Sequence, residues 1–213
     1  MKSASQDRRA LIAVFITLLV LCEVMVYVST APRPSEQFFQ IYILGANHTA
    51  TDYYPRNDSD LGIDEPVTWY LGVTDNMGLV QLVSIRVKAG NQTISPPDDQ
   101  QMLDSPAPIV TDFTRVLQNN ETWQMPFVWS ISNATLNNRA TSILSLQINN
   151  QTYQIQNWSA SDGYNFRMIF ELWIWQESSN SFEFGWTANS ERHIAWLQVW
   201  FNVTQAGPPT LHP

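Results

Sequence analysis

Four carboxylates crowd one glycine in the run Asp58-Ser59-Asp60-Leu61-Gly62-Ile63-Asp64-Glu65. Oxygen donors at alternate positions are what a hard cation such as Ca²⁺ takes, so Asp58, Asp60, Asp64 and Glu65 form a candidate Ca²⁺ site. The glycine comes one position earlier than in an EF-hand, and no glutamate occupies the twelfth place. A solvated linker between strands is the competing reading, and no other cofactor is indicated. His48, His193 and His212 stand far apart and lack the spacing of metal ligands. The chain has no Gly-x-Ser-x-Gly elbow, no phosphate-cradling glycine loop and no dinucleotide fingerprint. No catalytic residue is assigned, and a non-enzymatic protein is expected.

A second chemistry is written as Asn-x-Ser/Thr triplets. Eight occur, at Asn47, Asn57, Asn91, Asn120, Asn133, Asn150, Asn157 and Asn202, none with a central proline. With sixteen asparagines, and Ser plus Thr at about 16% of the chain, chance would supply roughly 2 to 3. All eight lie C-terminal to one apolar segment. Glycans are added outside the cytosol at solvent-facing sites, so a glycosylated ectodomain is expected.

Tryptophan spacing gives a third signal. In 166–176 a two-residue period puts Phe166, Met168, Phe170, Leu172 and Ile174 on one face. Arg167, Ile169, Glu171, Trp173 and Trp175 take the other. In 194–203, Trp196, Gln198, Trp200 and Asn202 share a face opposite Ala195, Leu197, Val199 and Phe201. A glycan on Asn202 would turn that face to solvent. If the two strands pair, Trp173, Trp175, Trp196 and Trp200 then form an outward platform beside Arg167 and Glu171, an expected binding face. Coverage by another strand or by a glycan, or an unmodified Asn202 facing the core, is the alternative.

Positioning these groups requires strands. Runs rich in β-branched and aromatic residues, broken by Gly, Asn, Pro and Asp, predict them at 38–44, 67–74, 79–88, 109–117, 123–131, 142–148, 153–156, 166–176, 182–186 and 194–203. Asp75-Asn76-Met77-Gly78 and Asn149-Asn150-Gln151-Thr152 read as hairpin turns. Short strands at regular spacing make the chain beyond the stalk all-β, an antiparallel β-sandwich. The segment 90–108 carries four of the twelve prolines and is expected to be a mobile insertion or a functional loop.

The apolar segment is Ala10–Thr30, whose 21 residues would span roughly 32 Å as a helix, enough for a hydrocarbon core of about 30 Å. Lys2, Arg8 and Arg9 precede it, which predicts a cytosolic N-terminus and a signal anchor in the cell membrane. A cleaved signal peptide is the alternative. Glu23 is an intramembrane carboxylate, expected either to contact a partner helix or to reach the outer interface. Cys22 is the one cysteine, so no intrachain disulfide can form. The expected organisation is 1–9 cytosolic, 10–30 transmembrane, 31–37 a stalk, 38–205 the sandwich, and 206–213 a fraying tail. Setting aside Lys2, Arg8, Arg9, Asp7 and Glu23 leaves eight basic against seventeen acidic residues, a balance of −9. Such a surface argues against nucleic acid and against anionic lipid headgroups as partners. The partners implied are the membrane through residues 10–30, other envelope or membrane proteins, and glycans.

The order of short motifs over residues 38–204 resembles an archaeal family of predicted membrane proteins, the domain of unknown function 1616. The residues that carry it are Tyr42-Ile43-Leu44-Gly45, Tyr54-Pro55, Gly62-Ile63-Asp64-Glu65, Leu71-Gly72-Val73, and Asn120-Glu121-Thr122-Trp123 with Pro126. Phe170-Glu171-Leu172 and Leu197-Gln198-Val199-Trp200 complete it. Members of that family place several helices before this region, whereas this chain has one. The resemblance implies an immunoglobulin-like ectodomain and no known chemistry. Three roles follow as expectations: a cell-surface interaction or envelope protein, an accessory subunit of a membrane complex, and a carbohydrate-binding module.

Overall fold

The computed structural model describes residues 3–30, 36–137 and 140–204. Most of the expected stalk and the expected tail from Ala206 lie outside the described residues. The chain divides into an N-terminal unit up to Glu36 and a second unit from Gln37 onward.

The first unit is one helix, α1 (Ser3–Thr30). It begins seven residues before the apolar segment, so residues 3–9 are helical. Leu11–Thr30 has a mean hydropathy of 2.7, and its 20 residues would span about 30 Å, long and apolar enough to cross a membrane. The hydroxyls within it are satisfied locally: Thr17 donates to the Ala13 carbonyl, Ser29 to Met25 and Thr30 to Val26. Glu23 lies seven residues before the helix end.

The second unit is a β-sandwich. Its strands are β1 (Phe39–Leu44), β2 (Asp60–Leu61), β3 (Val67–Asp75), β4 (Gln81–Asn91), β5 (Ile109–Leu117), β6 (Thr122–Leu136) and β7 (Thr141–Ile148). There follow β8 (Gln151–Ala160), β9 (Phe166–Gln176), β10 (Ser181–Phe184), β11 (Trp186–Ala188), β12 (Glu191–His193) and β13 (Trp196–Val203). One sheet has the order β1-β3-β6-β7-β8; the other runs β2-β13-β9-β4-β5, with β10 beside the C-terminal half of β9. Strands β11 and β12 form a separate ribbon. All strand pairs are antiparallel except β2 with β13.

The fold is immunoglobulin-like in its second sheet, where β13-β9-β4-β5 follows the G-F-C-C′ order. It departs in the first sheet. There β6, β7 and β8 step outward from β3 as a meander, giving three strands where two are usual. Asn149 and Asn150 have positive φ and join Ile148 to Gln151 in a two-residue type I′ turn, as expected. The other expected hairpin is corrected. Asp75–Gly78 carries the chain from β3 in one sheet to β4 in the other, so it is a corner between layers. Its geometry is set by the Asp75 carboxylate, which accepts from the Met77 N–H at 2.7 Å, and by positive φ at Gly78.

Between the sheets, alternate residues bury an aromatic core. Trp69 and Phe127 stack at 6.0 Å, Phe170 meets Phe127 edge-on at 5.3 Å, and Phe201 bridges Trp129 and Trp158. Offset and edge-to-face pairs of this kind add to the gain from area burial. Phe170 is wholly buried at the centre. Phe170→Ala should lower unfolding stability by about 3–5 kcal/mol, read by chemical denaturation. Burial pushes the Asp75 carboxyl above its ordinary 3.8; the Met77 N–H opposes the rise and Glu121 adds to it. The folded state therefore holds this proton more tightly than the unfolded chain, and stability falls as pH climbs through the interval above 3.8. Asp75→Asn should flatten that fall in a pH series of denaturant melts.

Candidate functional site

Strand parity places Arg167, Glu171, Trp173 and Trp175 of β9 and Trp196 and Trp200 of β13 on the outer face of the second sheet. The register makes Trp196 face Glu171, and Trp200 face Arg167. On the other flank, β4 contributes Arg86 opposite Glu171, and Lys88 opposite Ile169. The six expected residues thus share one face, but they do not form an open platform. Residues 92–108 fold back across it as a strap, and Arg167, Glu171 and Ile169 are buried.

The strap is tied down at several points. Arg167 donates to the Ile94 carbonyl and, at 2.7 Å, to Gln198 Oε1. Its guanidinium also lies 4.8 Å from the Trp200 ring, and burial lowers its pKa. Gly90 leaves room for this side chain: a Cβ there would meet Arg167 Nε at 3.1 Å. Trp196 donates to Asp99 at 2.8 Å, and Asp98 and Leu103 pair their backbones within the strap. The expectation of a mobile insertion gives way to this ordered covering.

At its centre is an ion cluster. Lys88 Nζ lies 2.6 Å from Asp104 Oδ2, 2.9 Å from Glu171 Oε2 and 2.6 Å from the Ser105 carbonyl. Glu171 Oε1 accepts from the Ser105 N–H at 2.8 Å, and Oε2 accepts from Trp173 Nε1 at 3.0 Å. Arg86 covers the Trp173 ring at 3.6 Å. Lys88 is 2% exposed and Glu171 fully buried, whereas Asp104 is 42% exposed. Lys88, Asp104 and Arg86 escaped sequence reasoning, because the β4–β9 register brings Arg86 and Lys88 beside Glu171 and the fold-back of the strap brings Asp104 to Lys88. A lysine inside an apolar strand was the available signal.

Beyond the strap the same face is open. Leu79, Val80 and Val116 are more than half exposed, and with Leu82 and Trp175 they line a shallow groove of about 580 Å³. Trp175 packs edge-on against Phe182 of β10. Of the four expected tryptophans Trp200 is exposed, and the other three are half-buried.

The acidic run is spent on other contacts. Glu65 pairs with Arg56 and accepts from the Gly62 N–H at 2.9 Å. Asp60 accepts from Asn202 at 2.7 Å, and Asp58 accepts from the Asp60 N–H at 3.0 Å. Asp64 takes positive φ on the surface. Among the described residues no three His, Cys, Asp or Glu side chains converge on one point, so the expected Ca²⁺ ligand set is not assembled.

The triplets separate by exposure. Asn47, Asn57, Asn120, Asn133 and Asn150 are exposed. Asn91 is buried, donating to the Ser159 carbonyl at 2.7 Å and accepting from Thr93 and Ile94, which corrects its assignment as a glycan acceptor. Asn202 is half-buried between Asp60 and Asn165. The side chain of Asn157 lies outside the described residues.

No protein-family model and no curated protein matches the chain. Among solved structures it is similar to the CARDB domain of the PF1109 protein from Pyrococcus furiosus, solved with di-metal ions. The identity there is 10% and the TM-score 0.38, over 82% of this chain and 100% of that one. It is also similar to a beta-glucosidase from Listeria innocua (8% identity, TM-score 0.35), over 80% of this chain but 17% of the enzyme. A third is Spo0M, a sporulation control protein from Bacillus subtilis (10% identity, TM-score 0.34), over 79% of this chain and 50% of that one.

Proposed function

We propose that this is a single-pass cell-surface protein whose glycosylated β-sandwich docks a protein partner and performs no catalysis. Helix α1 is the anchor, with the positive N-terminal residues in the cytosol and the sandwich outside. The observation that carries the reading is the open end of the outer face. Leu79 is 65% exposed, Val80 57% and Val116 52%, all beside Trp175. Three large aliphatic side chains clustered in a concave patch are costly to leave in water and mark interaction surfaces. The partner fitted to this groove is a protein of the envelope or membrane that presents an apolar knob. The ectodomain balance of −9 gives that knob a basic surround.

The accessory-subunit reading differs only in adding a helix contact at Glu23. The carbohydrate reading loses ground, because one exposed tryptophan offers one stacking surface where a platform of four was expected.

Two outcomes follow. Leu79→Glu should dissociate the partner from the complex extracted in gentle detergent, seen by native mass analysis, and leave the melting temperature within about a degree. A partner retained by Leu79→Glu, with the fold intact, contradicts docking at this groove. Glycopeptide mapping should find sugars among Asn47, Asn57, Asn120, Asn133 and Asn150, and none on Asn91. A glycan on Asn91 would contradict the burial described above.

A further inference from the structure

The ion cluster under the strap holds the parts of a bond-forming site. A primary amine and a carboxyl lie in contact, Lys88 Nζ to Asp104 Oδ2 at 2.6 Å. A second carboxylate, Glu171, reaches the same nitrogen at 2.9 Å. Glu171 cannot swing away: Ser105 N–H holds one oxygen at 2.8 Å, and Trp173 Nε1 holds the other at 3.0 Å. Lys88 is 2% exposed, its ammonium stripped of nearly all water. We propose that Lys88 and Asp104 join spontaneously in an intramolecular amide, with Glu171 carrying the protons.

The chemistry balances without any other reactant. One cation and two carboxylates give the cluster a net charge of −1. Glu171 takes a proton from the Lys88 ammonium and passes it to Asp104, leaving a neutral amine beside a neutral carboxylic acid. The amine lone pair attacks Asp104 Cγ to form a tetrahedral carbon. Glu171 then removes the surplus N–H proton and delivers it to the departing hydroxyl. The Cγ–O bond breaks, water leaves, and the products are a Lys88–Asp104 amide and the Glu171 carboxylate.

Two physical terms favour condensation here. In water, amine and acid stay apart chiefly because the ions are well hydrated. The Lys88 ammonium has lost that hydration while the half-exposed Asp104 keeps part of its own. A neutral amide removes the lysine charge from the low-dielectric interior and leaves Glu171 its Ser105 and Trp173 donors. Holding the two groups in contact also replaces a bimolecular encounter with a high effective molarity. The half-exposed Asp104 end gives the water a way out. The bond would staple the strap to β4 in a sandwich that has no cysteine to do so. It is independent of the docking groove.

Tryptic digestion of the denatured full chain tests it. An amidated Lys88 is no substrate, so the expected product is a single peptide, 87–115, lighter than its sequence by one water. Because its ring closes between positions 88 and 104, backbone fragmentation within 89–103 should release no fragments. Cleavage on the N-terminal side of Asp98 should leave the two halves attached. Glu171→Gln should restore full mass and cutting after Lys88. If that variant fails to fold, Asp104→Ala, at a half-exposed position, should do the same. Complete cutting after Lys88 in the unaltered protein overturns the proposal. A cross-linked pair joining the Lys88 peptide to residues 168–192 would assign the bond to Glu171 and overturn it equally.

Discussion

The outer face of the second sheet depends on burying Lys88 and Glu171 together. Each ion alone under the strap would be costly to desolvate, and removing one partner of a buried pair typically costs about 3–5 kcal/mol. Together they hold each other, and Glu171 also spends both oxygens on Ser105 and Trp173. The pair is therefore specific as well as compensated. This placement of residues 92–108 supplies the Ser105 N–H to Glu171 and the Asp104 carboxylate to Lys88 at once.

That clamp divides the face in two. Toward Trp196 and Trp200 the strap closes the sheet, with Arg167 and Asp99 as its outer ties. Toward Trp175 the sheet stays open, and exposed aliphatic groups from the β3–β4 corner and β5 complete a groove. The division explains how a face with so many tryptophans presents so few of them. Trp173 is turned to serve Glu171 and Arg86 rather than a ligand.

Much of this was legible in the chain. Residues 109–117 and 166–176 read as strands to the residue, because β-branched and aromatic residues filled them and turn residues bounded them. The face assignment in β9 and β13 also followed from parity. What failed were contacts that cross elements. The corner at Asp75–Gly78 has a hairpin's composition, and nothing local says that β4 starts a new layer. The acidic run had carboxylates at cation-like spacing, yet Arg56, Asn202 and a backbone N–H took them first. Asn91 satisfies the acceptor pattern, but its oxygen closes a turn over Thr93. The strap's proline content suggested mobility, and its anchors come from residues on β4, β9 and β13 that no local window contains.

Amide hydrogen exchange across residues 92–108 tests the central claim most directly. A locked strap predicts that the Ser105 amide exchanges as slowly as those of β9, since its N–H is held by a fully buried carboxylate. Exchange of Ser105 at the rate of a free peptide, while β4 and β9 stay protected, would contradict it. In that case Lys88 and Glu171 would not be clamped, and the whole face would be open.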